Sequence, residues 1–405
     1  VPFLRKLRVD YGIPGACVHD MGPGICKAVE TVFPGIPDFI CHFHFLRDIG
    51  KDFLGPAYAT LRKRLRNLAA STALHALARD MRQCLIEDTS RCAVLVKSIK
   101  GADPVEDRGL MAMASAYSLA LWALEGKHSG NGYGFPFDRP LLDFAQRLLD
   151  LHGHMGKLLD LLVTGKQPTD TQAILKLAVQ VRRVAEDSAL REAVEQLRWR
   201  CPTFDRLRKA MRIAPPDGAS GLNDEGTPKA ISTIREGVER FRRELGEDPK
   251  LVADFLSQKM ASQIDKYGDK LFADPIDVDT PSGPVTIYPQ RTNNILEQFF
   301  RGVKRGYRRK TGNDSMRRAL HAMLVDAPLV KNLENPQYMK LLLDGKTSLE
   351  ELFAELEIEH HAREQESETT TDRILPGFRD LVKLSTLPVQ LVRSLMGKGE
   401  IVKSN

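Results

Sequence analysis

A chain of 405 residues, 42% hydrophobic and 28% charged, has the make-up of an ordinary globular protein with room for two or three cores. No run of about 18 uncharged apolar residues marks a membrane span, and Val1 to Lys6 do not make a signal peptide. The net charge is only +6, yet between Gln290 and Lys331 ten Lys and Arg stand against three acids, so this one segment carries the basic excess.

Phe3 to Arg8 reads as a helix. Because the chain opens inside it with Val rather than Met, we expect an amino-terminal part to lie upstream. Residues 10–15 form a turn, and Ala16 to His19 a short buried strand that delivers Asp20 at its carboxyl end. Gly22-Pro23-Gly24 breaks the chain, Ile25 to Phe33 has helical spacing, residues 34–37 turn, and Asp38 to His42 is a second strand. This strand–helix–strand rhythm predicts an α/β unit.

From Phe43 the pattern turns helical and stays so for more than two hundred residues. Helices are expected over 61–86, 110–125, 141–164, 171–197, 204–213, 229–245 and 249–267, with loops at 129–140 and 215–227. Ile276 to Pro289 reads as a hairpin or strand pair. Beyond Gly345 an acidic helix (350–359) leads into a polar linker (364–372). The last thirty residues form short helical turns interrupted at Pro388. No repeat or heptad array is present. Six cysteines without a Cys-x-x-Cys pair suit a reducing cytoplasm, most of the thiols being buried.

The most informative segment is Thr292 to Lys310. On a helix, Glu297, Arg301, Lys304 and Arg308 fall at i, i+4, i+7 and i+11, beside an apolar stripe of Leu296, Phe300, Val303 and Tyr307. With Arg305, Arg309 and Lys310 they place one carboxylate at the head of a basic face, an arrangement suited to work beside DNA phosphate. Two-metal phosphoryl transfer needs carboxylates converging from separate parts of a fold, and Asp20 and Glu297 are two candidates. The plainer readings are a turn or N-cap residue for Asp20 and a solvated carboxylate paired with Arg301 for Glu297. Cys41 and His44 supply two metal-ligand types without a second pair, so packing and orienting Asp20 competes with zinc binding. Trp122 and Trp199 are core candidates, Trp199 alternatively a platform for an unpaired base. His152, His154, His360 and His361 read as surface residues.

Three blocks in order resemble the transposases of the Mutator-like and bacterial insertion-sequence type, which carry an Asp-Asp-Glu triad on a ribonuclease-H-like fold. They are Asp20-Met21-Gly22 with Ala28-Val29 and Phe33-Pro34; Cys41-His42-Phe43-His44 with its Cys-x-x-His spacing; and Thr292-Asn293-Asn294-Ile295-Leu296-Glu297 with Phe300, Arg301, Arg308, Arg309 and Gly312. The resemblance implies a mostly α, mixed fold: a partial ribonuclease-H-like α/β core (1–55 and 276–345) interrupted by an all-helical insertion (56–275), with an acidic helix and tail (346–405). It implies Asp20 and Glu297 as catalytic ligands of Mg²⁺ or Mn²⁺, and Arg301, Lys304, Arg305, Arg308, Arg309 and Lys310 on double-stranded DNA at transposon ends and target; Trp199, where it is not core, would stack there on an unpaired base at a cut end. It also implies a homo-oligomer when intact, in a bacterium associated with the nucleoid. The first triad aspartate has no counterpart, since Asp10 lies only ten residues before Asp20 in a turn. The chain by itself is therefore expected to be catalytically dead. Two other readings stand beside a transposase: an inactive DNA-binding or assembly remnant, and a helical protein whose basic helix binds RNA or an acidic partner.

Overall fold

A computed structural model describes residues 1–86, 89–101, 108–163, 172–213, 231–280, 283–287, 291–292, 304–305, 307–309, 311–312, 315, 318, 374–375 and 378–396. Most described residues are helical. The chain divides into two units: Val1–Asn293 together with Leu375–Asn405, and Asn294–Ile374. The acidic helix and polar linker expected over 350–372, the 215–227 loop, and His360 and His361 lie outside the described residues.

The first unit opens with α1 (Pro2–Tyr11), β1 (Cys17–His19), α2 (Pro23–Val32) and β2 (Asp38–Ile40). Gly22 and Pro23 start α2 where the missing proline N–H costs no helical bond. Its buried face is Ala28, Val29 and Val32. β1 and β2 pair in parallel, Cys17 with Asp38, Val18 with Phe39 and His19 with Ile40, so the chain makes the expected strand–helix–strand unit. The second strand is shorter than expected. It ends at Ile40 because Cys41 caps the next helix and His42 is already helical.

α3 (His42–Asn67) then runs unbroken through Pro56 and past residue 55. It is followed by α4 (Ala70–Ile86), α5 (Thr89–Gly101), α6 (Arg108–Glu125), α7 (Pro140–Val163), α8 (Gln172–Ala185), α9 (Ser188–Met211), α10 (Ile231–Glu247), α11 (Pro249–Ala253) and α12 (Phe255–Leu271). An antiparallel hairpin follows, β3 (Ile276–Thr280) with β4 (Gly283–Ile287). Two helices return from the carboxyl end, α13 (Phe378–Lys383) and α14 (Leu387–Met396). Among the described residues between Ile40 and Ile276 there is no strand.

These helices form two groups within one unit, joined where α3 meets α4 and α7 and where α9 meets α7 and α8. α3 packs on α9 and α12, and α9 on α10; α12 also touches β2. α6 is wrapped by α4, α7, α8 and α13, with α14 covering α5 and α7. A helix apolar all round belongs in a core: Met111, Ala112, Ala114, Ala116, Leu119, Ala120 and Ala123 of α6 are fully buried.

Several boundaries depart from the periodicity. The expected 61–86 helix is the end of α3 and all of α4, parted at Ala69, whose φ of 48° no local breaker announces. The 171–197 and 249–267 helices are each split at an aspartate. Asp187 caps α9 by accepting from the Leu190 amide at 2.8 Å, and Asp254 caps α12 through Ser257 at 2.8 Å. The gap expected at 198–203 does not exist, since α9 continues through Pro202 with Cys201, Phe204 and Leu207 buried around it. α5 lay unrecognised in residues 89–101. Pro388 sits in the first turn of α14 and starts that helix instead of interrupting it, because the first turn has no N–H to lose.

In the second unit, the described residues from 304 to 311 are helical apart from 306 and 310, which lie outside the description. That run stops at Gly312, with φ 69° and its amide on the Arg308 carbonyl at 2.8 Å. Glycine is the residue that takes this left-handed position without strain.

Candidate functional site

Asp20 lies just past β1, at the end of the strand as expected. Its side chain is 46% exposed, and one carboxylate oxygen is 2.8 Å from His44 Nδ1, on a ring that is 4% exposed. His44 reaches it from the first turn of α3, which β2 delivers alongside β1. The Cys41 amide donates to the His19 carbonyl at 2.9 Å, extending the strand pairing by one residue and fixing the start of α3 against the end of β1. Cys41 itself is fully buried. The Cys-x-x-His spacing thus places a thiol in the core and an imidazole against the carboxylate.

His19 and Asp38 frame the same strand end. His19 is buried; its Nδ1 lies 2.6 Å from the Asp20 carbonyl and its Nε2 against the Asp38 carboxylate. The other Asp38 oxygen accepts from Lys270 Nζ of α12 at 2.8 Å, and that contact raises the lysine pKa. The periodicity showed His19 and Asp38 only as strand residues. Nothing in the sequence pointed to Lys270, more than 230 residues away.

The chain comes back to this place at the far end of the helical region. The His42 amide donates to the Arg291 carbonyl at 2.8 Å, and Thr292 is 1% exposed. His42, 1% exposed, also packs its Nε2 on the Leu271 carbonyl. Burial lowers its pKa to about 4, the Arg291 charge adding to the effect and the Leu271 contact opposing it. Arg291 in turn donates to the Met211 carbonyl at 3.0 Å. The start of α3 therefore holds the chain five residues before Glu297.

Glu297, Arg301 and Lys310 themselves lie outside the described residues. Of the expected phosphate-binding side chains, Arg305, Arg308 and Arg309 are exposed, while Lys304 is half-buried, as is Tyr307 of the apolar stripe.

Trp199 is half-buried at the junction of α3, α9 and α11. Its indole meets Phe53 edge-on at 6.3 Å and carries Lys250 Nζ at 4.6 Å and the Arg200 guanidinium at 5.0 Å from its ring centre. A base stacking there has to displace those cations. Trp122 is buried in α6 under Arg147. His152 is exposed and His154 half-buried.

A carboxylate oxygen suits a hard cation such as Mg²⁺, and Asp20 is exposed enough to offer one. Among the described residues, however, no three His, Cys, Asp or Glu side chains are grouped to hold a metal ion. Asp20, His44 and Cys41 do not make a closed zinc site, and the described residues alone do not complete a paired-metal centre. Nor, among them, is any helix long and apolar enough to cross a membrane. No protein-family model, no curated protein and no solved structure matches this chain.

Proposed function

We propose that this chain is the catalytic-core portion of an Asp-Asp-Glu DNA transposase, with Asp20 and Glu297 as its two recognisable carboxylates. The observation that carries the reading is the return of the chain at Arg291 and Thr292 to the start of α3. That helix is the one from which His44 meets Asp20. A long helical region inserted between the Asp20 strand and the glutamate segment calls for the chain to come back to the Asp20 unit before residue 297. The strand–helix–strand unit is the part of a ribonuclease-H-like core that the reading uses.

In this reading His44 and the His19–Asp38 pair orient the Asp20 carboxylate, while Arg305, Arg308 and Arg309, with Arg301, Lys304 and Lys310, hold DNA phosphates. Such contacts give affinity and salt dependence and little sequence recognition. Mg²⁺ or Mn²⁺, when bound, supplies Lewis-acid activation of water at the phosphate. The active form is taken to be a homo-oligomer on duplex DNA. A second reading, an inactive DNA-binding remnant, is favoured by the exposed cations Arg305, Arg308 and Arg309, which need no carboxylate to grip DNA.

Two measurements on the purified chain test the proposal. Duplex binding across a salt series should weaken steeply, and replacing Arg305, Arg308 and Arg309 with Gln should flatten the log–log slope by up to about three. An unchanged slope removes this helix from the interface. Mn²⁺ should broaden the His44 ring resonances in the wild type and not in Asp20→Asn. Broadening in neither leaves the DNA-binding remnant as the reading.

A further inference from the structure

Apart from the run between Gln290 and Lys331, whose ten cations and three acids sum to +7, the chain sums to −1, since its net charge is +6. Against that near-neutral background the stretch from Phe53 to Arg79 holds five Lys and Arg (62, 63, 64, 66 and 79) and no acid. Four of the five crowd into the last two turns of α3. Where a carboxylate is on offer it is used: Arg64 turns to Asp187, the cap of α9, donating from Nε at 2.9 Å. Arg62, Lys63 and Arg66 are exposed, and none has an ion pair among the described residues.

At 3.6 residues per turn these three side chains leave α3 within about 100° of one another, on the side turned away from Arg64 and α9. Gly55 and Ala59 lie on the same side in the two preceding turns, so no long side chain shields the cations. Arg62 is held there, its guanidinium 5.6 Å from the Tyr58 ring centre. Tyr58 is itself fixed, stacked on Phe135 at 4.4 Å and accepting the Leu141 amide at 3.4 Å. Cations also suit the carbonyl end of a helix, but the Arg64 and Arg66 carbonyls already accept the Leu68 and Ala69 amides, each at 3.0 Å. The acids of the flanking segments carry cations of their own: Asp52 has Lys259 at 2.9 Å, and Glu186 has Arg182 at 4.0 Å. Past the turn at Ala69, Lys127 adds a further cation by donating to Ser71 of α4 at 2.7 Å.

We infer that the end of α3 is a second surface for the DNA backbone, where Arg62, Lys63 and Arg66 take phosphates of a duplex independently of Arg305, Arg308 and Arg309. Exposed cations with no acid among them gain affinity from a polyanion by releasing its counterions, and contacts of this kind position a duplex without reading its sequence. The two sets of cations belong to different units of the chain, so each unit carries its own grip. That the polyanion is duplex DNA rests on the function proposed above.

The probe is duplex DNA of arbitrary sequence, titrated into the full chain across a potassium chloride series. Replacing Arg62, Lys63 and Arg66 with Gln should flatten the log–log slope by up to about three, and this loss should add to that of the Arg305, Arg308 and Arg309 replacements. Bound duplex should also shield Lys63 from acetylation in the wild type, a readout that needs no variant to fold. A folded variant with an unchanged slope, or a Lys63 that stays reactive under saturating duplex, overturns the inference and leaves DNA binding through the second unit standing. No duplex binding by the wild type overturns the DNA reading as well. Single-stranded RNA that displaces the duplex and shields Lys63 more strongly overturns DNA as the partner of this face.

Discussion

His42 shows how one residue joins local sequence to distant structure. It stands between Cys41 and the His44 partner of Asp20, yet its own contacts are Leu271 and Arg291. With a folded value of about 4 against an ordinary 6.5, it stays neutral in the folded chain at a pH where the unfolded chain binds a proton. Its contribution to stability is intact above about pH 6.5 and is lost as the pH falls towards 4, by at most about 3 kcal/mol. Urea midpoints between pH 7.5 and 4 should therefore fall less for His42→Gln than for the wild type; equal pH slopes contradict this. Asp20 was legible because a carboxylate at a strand's end stands out against its apolar neighbours. Its support by His19, Asp38 and Lys270 was not, since those contacts depend on register and on α12.

At the level of elements, aspartate caps decide where the long helical stretches divide. Asp187 accepts the Leu190 amide with a carboxylate that also takes Nε and Nη2 of Arg64 from α3, and this arginine lowers the aspartate's pKa. Asp254 likewise caps α12 through the Ser257 amide while accepting from Arg200 of α9, each at 2.8 Å. Each cap fixes both the start of a helix and its partner. Asp187→Ala removes a cap worth about 1 kcal/mol together with the charge-assisted contact to Arg64, and should destabilise the chain by more than the cap alone. Asp187→Asn should keep most of the cap and lose the pair. Chemical denaturation that finds the two variants equally destabilised would assign the whole effect to the pair. Periodicity could not find these divisions, because apolar residues continue at helical spacing on both sides. Pro202 misled in the opposite direction, since packing around α9 outweighs the backbone bond that a proline removes.

On the scale of the molecule, the carboxyl-terminal helices are part of the core that α6 centres. Phe378, Leu381 and Leu387 are fully buried, Val382 nearly so, and the Phe378 ring meets Tyr117 of α6 edge-on at 5.1 Å. Burying side chains of this size contributes about 1.5–3 kcal/mol each, so α13 and α14 together carry on the order of 10 kcal/mol as an upper estimate, comparable to the stability of a typical domain. A chain ending at residue 374 should lose its cooperative thermal transition and bind a hydrophobic dye, and a sharp melt near the wild-type temperature would show that the core closes without them. The sequence by itself determined the helical character, the first strand–helix–strand unit, the hairpin, the basic run after Arg291 and Asp20 as a candidate carboxylate. Each of these is written in the spacing or charge of neighbouring residues. Only the tertiary structure decided that His44 meets Asp20, that Arg291 returns to α3, that Arg64 turns to Asp187 and that the last helices close a core. Those pairings join residues from about 24 to more than 250 positions apart, and burial, which no local spacing records, selects among the partners the chain offers.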